Sequence, residues 1–165
     1  MAAATIISVE EYLRDTSKPN AEYSEGEIRR KPMPTYLHNL LEFLLVMLLR
    51  KQGVNAMHEI RVHPRPNRFL IPDVIAADVS LDPYPTEPVT LCVEILSPED
   101  RVGSMLAKCE EYHAWGVPYC WVIDPVQQSA WQYDAQGEPV KIAAGGILRA
   151  GKLTVDLRDL FNPQA

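Results

Sequence analysis

Positive charge is in deficit. Sixteen Lys and Arg stand against 22 Asp and Glu, giving a formal net charge of −6 and a pI near 5.2. That balance argues against a chain that coats nucleic acid through bulk charge and leaves only local basic patches, for which Arg29-Arg30-Lys31 and the Arg61, Arg65, Arg68 group are candidates beside ordinary solvated surface. Cysteine is scarce too: Cys92, Cys109 and Cys120 form no Cys-x-x-Cys pair, and each falls in an apolar stretch. An odd number of core thiols excludes a disulfide framework and points to a reducing cytoplasm. His58 and His63 have no third ligand nearby, which argues against zinc there. The most apolar run, Leu40 to Leu49 broken by Glu42, is too short to cross a bilayer, so no membrane partner is expected. Met1 to Ser8 lack a basic start and a long apolar stretch, so no signal peptide is read. Repeats and low-complexity segments are absent as well. What remains is 165 residues, 47% hydrophobic, enough for one globular domain over residues 1–165 with a buried core.

The chemistry concentrates between residues 72 and 108. Pro72-Asp73 opens the apolar run to Val79, a proline-rich turn follows, and Val89 to Leu96 carries Glu94 near its end. These read as two strands around a loop. Paired antiparallel, they bring the start of the first beside the end of the second, so Asp73 and Glu94 meet at one rim of a sheet. A register slip of one residue points one of them away. Two desolvated carboxylates repel each other unless a cation compensates. Oxygen donors, with neither Cys nor His in the polar positions of those strands, favour Mg²⁺ or Mn²⁺. Ser97-Pro98-Glu99-Asp100 then reads as a helix start, with Ser97 as N-cap, and the helix runs to about Trp115 before Gly116. Lys108 lies off its apolar stripe, on the flank of Arg101 and Tyr112, where a long stem reaches the rim, and Arg101 is a secondary candidate there. Two metal-binding acids and a lysine are the parts needed to hydrolyse a phosphodiester.

Pro72-Asp73, Val93 to Pro98, Lys108 before Tyr112, Gly116-Val117-Pro118-Tyr119 and Trp121 to Pro125 together resemble the restriction-endonuclease-like family of the PD-(D/E)XK nuclease superfamily. The resemblance extends over nearly the whole chain, from the Glu22 to Glu27 turn to the Asp156 to Phe161 segment. It implies a metal-dependent DNA endonuclease in which Asp73, Glu94 and the Ile95 carbonyl bind metal and Lys108 positions water. The superfamily's lysine usually follows the second acid by two positions, and Leu96 stands there. Lys108 then supplies it from the helix, as in members with a migrated lysine.

Bland readings stand beside these: Asp73 as a turn acid, Glu94 in a structural ion pair, Lys108 as a solvated helix lysine. Glu22 and Glu27 flank the turn at Glu25-Gly26, either as hairpin charges or as outer acids of the site. The helix from Tyr36 to about Lys51, capped by Thr35, is apolar almost all round. It should pack between the sheet and another layer or a second copy, making a homodimer. His38 shares a face with Glu42 and is an accessory candidate, or simply a polar first-turn residue. Val54 to Val62 reads as a strand and His63 to Arg68 as a loop. Strand 89–96, helix 98–115 and strand 119–124 form a βαβ unit, followed by hairpins. The fold class is thus α/β, a mixed sheet with antiparallel hairpins, one right-handed βαβ unit and flanking helices. The competing functions are a catalytically silent nuclease-fold binding or assembly module and a hydrolase of a small phosphorylated substrate.

Overall fold

The computed structural model describes residues 5–162; the part of the leader reading that rests on residues 1–4 lies outside the described residues. The chain opens with α1 (Val9–Arg14), started by a capping box in which Ser8 Oγ accepts the Glu11 amide at 3.1 Å and the Glu11 carboxylate accepts the Ser8 amide at 2.7 Å. Strands β1 (Ala21–Ser24) and β2 (Glu27–Arg30) form a hairpin whose two turn residues, Glu25 and Gly26, both have positive φ. Helix α2 (Tyr36–Arg50) follows, and Thr35 Oγ1 accepts the His38 amide at 3.2 Å.

A six-stranded mixed sheet is the centre of the molecule. It contains β3 (Asn55–His58), β6 (Val74–Ala77), β7 (Leu91–Ile95), β8 (Tyr119–Asp124), β9 (Ser129–Asp134) and β10 (Val140–Ile142), in the spatial order β10-β9-β8-β7-β6-β3. Only β7 and β8 run parallel, joined by α3 (Val102–Trp115). One face, with Val74, Ala76, Leu91, Val93 and Trp121, packs on Leu41, Leu45 and Leu49 of α2. The other, with Ile75, Cys92, Cys120 and Val122, packs on Cys109 and Tyr112 of α3. This alternation is what two covered faces require of a pleated strand. The three cysteines are buried and free.

Several boundaries differ from the sequence reading. The Val54 to Val62 stretch is two strands, because Glu59 adopts φ 50° and turns the chain out of the main sheet. Strand β4 (Val62–Arg65) then pairs with β5 (Arg68–Leu70), so the supposed loop over 63–68 is a hairpin with Asn67 at positive φ. These strands join the first hairpin in a second sheet, ordered β2-β1-β5-β4. Helix α3 begins at Val102 rather than Pro98: the Asp100 carboxylate takes the Ser97 amide and hydroxyl, both at 2.8 Å, and closes a turn instead of a helix. Strands β11 (Ile147–Ala150) and β12 (Leu153–Asp156) form a separate hairpin, leading to α4 (Leu157–Phe161). Helix α2 is covered on one face only: Tyr36 is 82% and Phe43 59% exposed. No helix among the described residues is long and apolar enough to cross a membrane.

Candidate active site

The β6–β7 register pairs Val74 with Val93, so one further step sets Asp73 across from Glu94 at the sheet rim. Both residues are buried, 2% and 3% exposed. Asp73 Oδ2 accepts the Ile95 amide at 2.6 Å, tying the first acid to the strand that carries the second. The two carboxylates then meet different neighbours. On the α3 side, Glu94 Oε1 accepts the Tyr112 hydroxyl and lies 3.3 Å from Lys108 Nζ. Lys108 is held more closely by Glu22 Oε1, at 2.7 Å, and Glu22 also accepts the Ile71 amide. On the α2 side, Asp73 Oδ1 takes Lys31 Nζ at 2.6 Å, and Asp73 Oδ2 faces His38 Nε2 at 3.4 Å. Lys31 also reaches the Ile71 carbonyl at 3.0 Å and Glu59 at 3.4 Å.

Charge and burial set the ionisation of the group. Burial opposes the Asp73 anion, yet the Lys31 ammonium and His38 overcome it and hold its carboxyl well below the usual range. Burial pushes Glu94 up, and Lys108 only partly pulls it back. Burial also raises Glu42, with Asp73 adding to it, to about 7. Both lysines lose hydration, but Asp73 beside Lys31 and Glu94 beside Lys108 raise each above an ordinary lysine. His38 is raised as well: burial opposes its charge, and Asp73 more than restores it.

Glu22, Glu59, Asp73 and Glu94 thus share two ammonium groups, Lys31 and Lys108, while Glu42 faces His38 and His58, so the cluster holds more carboxylates than lysines. Glu42 is 5% exposed and its Oε1 has no hydrogen-bond partner. Such a donor set fits a divalent cation. His38, Glu42 and Asp73 place one ligand atom each within 4.8 Å of one another.

The rim therefore gathers Asp73, Glu94, Ile95, Lys108 and His38. Two positions read as secondary candidates fall away from it. Glu27 is exposed because β2 is the edge strand of the second sheet and all four of its residues are exposed, whereas Glu22 lies on β1, inside that sheet, and is buried. Arg101 is exposed at the N-cap of α3, ahead of the turn that carries Lys108. Lys31 is the residue the sequence reading placed elsewhere, in a surface patch. That patch is largely neutralised: Arg30 pairs with Asp15, Arg65 with Glu25 and Arg68 with Glu111, while Arg61 stacks on Tyr12. The one sign pointing to Lys31 was its place at the end of a hairpin strand antiparallel to the one bearing Glu22.

A mixed sheet whose rim carries paired acids and lysines is the architecture of a restriction-endonuclease-like nuclease fold. A crystal structure described as "a putative nuclease belonging to DUF820", from Anabaena variabilis, shares the fold, with a TM-score of 0.79 and 23% sequence identity, covering 94% of this chain and 98% of that one. The family model Uma2, described as "Putative restriction endonuclease", matches residues 9–155, and the chain belongs to that family. No curated protein matches the chain.

Proposed function

We propose that the protein is a Mg²⁺- or Mn²⁺-dependent DNA endonuclease, acting through one domain that spans the chain. Asp73, Glu94 and the Ile95 carbonyl would hold the metal. When bound, the ion supplies polarisation of a phosphoryl oxygen and a water acidic enough to attack phosphorus. Lys108 orients that water and offsets charge gathering on the phosphate. Glu22 fixes the lysine through its 2.7 Å contact, and Tyr112 fixes the Glu94 carboxylate. Arg101, exposed on the same helix, is assigned to the DNA backbone. The observation that carries the reading is the in-register meeting of Asp73 and Glu94 with Lys108 Nζ 3.3 Å from the latter.

Incubating the protein with supercoiled plasmid and Mg²⁺ or Mn²⁺, beside Asp73→Ala and Glu94→Ala, tests this. Cleavage by the parent alone supports it; equal cleavage by all three means contamination and defeats it. One observation favours the silent binding module instead: the Lys31 ammonium already sits 2.6 Å from Asp73. That reading expects no Mn²⁺ binding at all. Exposed Tyr36 and Phe43 on α2 support a homodimer, which sedimentation at micromolar concentration tests. Three buried free thiols fit a cytoplasmic location.

A further inference from the structure

We infer that a pocket bordering the rim takes an unstacked nucleotide, its base against Phe43 and its phosphate at Lys18 and Arg61, and that the chain therefore acts on single-stranded DNA. The inference rests on the proposed nuclease function and adds a substrate subsite to it; none of these three residues belongs to the metal-binding set.

Two cavities lie side by side, sharing Lys18, Asn20 and Glu59 in their walls. The larger, about 440 Å³, falls within the roughly 300 to 1,000 Å³ usual for small-molecule sites. Local sequence shapes its walls. Asn39, Phe43 and Val46 stand three or four residues apart on one face of α2. The Pro32-Met33-Pro34 segment, kept out of regular structure by its prolines, forms another wall. Phe43 is 59% and Met33 74% exposed, apolar surface that a planar base would cover. Asn39, exposed beside Phe43, offers the amide that can bond a base edge. Lys31 and Glu42 also line this cavity, and both face Asp73, so the cavity adjoins the rim where the scissile phosphate would lie.

The smaller cavity, about 130 Å³, is below that range and suits a phosphate group rather than a whole nucleotide. Its charges favour an anion. Both of its acids already have donors: Asp15 accepts Arg30 and the Ser17 amide, each at 2.9 Å, and Glu59 accepts the Asn20 amide group at 2.8 Å and faces Lys31 at 3.4 Å. Its two cations face no carboxylate among the described residues. Lys18 donates to the Asn20 side chain, while Arg61 reaches the Leu13 carbonyl at 3.4 Å and lies 4.9 Å from the Tyr12 ring centroid. Stacking on Tyr12 fixes the guanidinium plane and leaves most of its N–H donors free for phosphate oxygens. In a chain of net charge −6, two uncommitted cations in one recess are a local excess. Seating a base in one cavity and its phosphate in the next requires a nucleotide drawn out of its stack, which a duplex resists and a single strand does not. Negative supercoiling favours such strand opening, so a plasmid remains a substrate.

The test is fluorescence anisotropy of a labelled single strand, and of the same strand annealed to its complement, titrated with the full chain in EDTA so that metal plays no part. The parent is expected to bind the single strand at least about 10-fold more tightly than the duplex, the direction set by the cost of unpairing. Phe43→Ala should weaken single-strand binding roughly 5- to 100-fold, the loss of one base–aromatic stack, with an unchanged salt slope that also reports a folded protein; Phe43→Trp should restore it. Arg61→Met and Lys18→Met should each weaken binding and lower the slope of log affinity against log salt by about 0.7, one phosphate contact on a single strand. Equal affinity for single strand and duplex, or a Phe43→Ala variant that binds like the parent, overturns the inference. If that variant also turns a dimer into a monomer in sedimentation, the face belongs to a second copy. Single-strand binding by a chain that cleaves no plasmid keeps the pocket and defeats the nuclease reading, while cleavage without single-strand preference does the reverse.

Discussion

The two helices flanking the rim meet their carboxylates in different ways. Toward α3, the contacts are closed: Lys108 is shared by Glu22 and Glu94, Tyr112 donates to Glu94, and no buried polar atom of these four side chains lacks a partner. Toward α2, charge is met directly but incompletely. Asp73 has an ammonium at 2.6 Å, an imidazole at 3.4 Å and a backbone amide at 2.6 Å, while neighbouring Glu42 and His38 each keep a buried atom unpaired. The consequence appears in ionisation. Asp73 stays charged because Lys31 lies closer to it, at 2.6 Å, than to Glu59, at 3.4 Å, and His38 adds to that, whereas burial pushes Glu94 toward protonation and Lys108, held closer to Glu22, only partly pulls it back. Equal burial does not mean equal charge; the allocation of counter-ions decides.

The largest effect that sharpens this contrast is catalytic. Asp73→Asn and Glu94→Gln should each lower plasmid cleavage by roughly 10³-fold, the upper range for losing one preorganised electrostatic element. Thermal melts of each variant separate that loss from unfolding. Next is stability without metal. Lys31→Met strands an ionised Asp73 and should cost about 3 to 5 kcal/mol. Lys108→Met should cost less, because Glu94 takes up a proton, and urea unfolding of both variants ranks them. Equal costs would erase the distinction between the flanks.

A third prediction concerns pH. Glu42 has a folded pKa of about 7 against an ordinary 4.5, so the folded chain binds its proton more tightly than the unfolded chain does. Metal-free stability should therefore rise as pH falls from about 7 to about 4.5, by at most about 3 kcal/mol from this group. Glu94 and His38, also raised, act in the same direction as they protonate, and depressed Asp73 opposes the trend only below its ordinary 3.8. Urea unfolding at pH 7.5 and pH 5 measures this; Glu42→Gln should flatten the slope and Mn²⁺ should reverse it, since metal requires deprotonated ligands. Smallest of all, Glu27→Ala should leave cleavage unchanged in the plasmid assay, as its exposure places it off the rim.

The acid-bearing hairpin was legible because both its strands are apolar runs broken by a proline-rich turn, a purely local pattern. Lys108 was legible by helical geometry, even though the helix start was misjudged: Ser97 and Asp100 satisfy each other, a choice that local residue preferences alone do not reveal. Of the two acids flanking the first turn the sequence favours Glu27 over Glu22 as a site residue, and it offers Lys31 only as part of a basic patch. Glu22 and Lys31 reach the rim through pairing of β1 with β5, distant in sequence, which depends on the turn that Glu59 makes at positive φ. Nothing near Glu22 or Lys31 encodes that partner.

Gly116 ends α3 in the left-handed region at φ 119°, and a Cβ there would lie 2.9 Å from Pro88, within the connection between the two acid-bearing strands. The crossover helix is thus anchored at its far end to the very link that sets the spacing of the carboxylates. A side chain at position 116 would both strain the left-handed backbone and collide with Pro88, so the helix that carries Lys108 can end against that link only on a glycine.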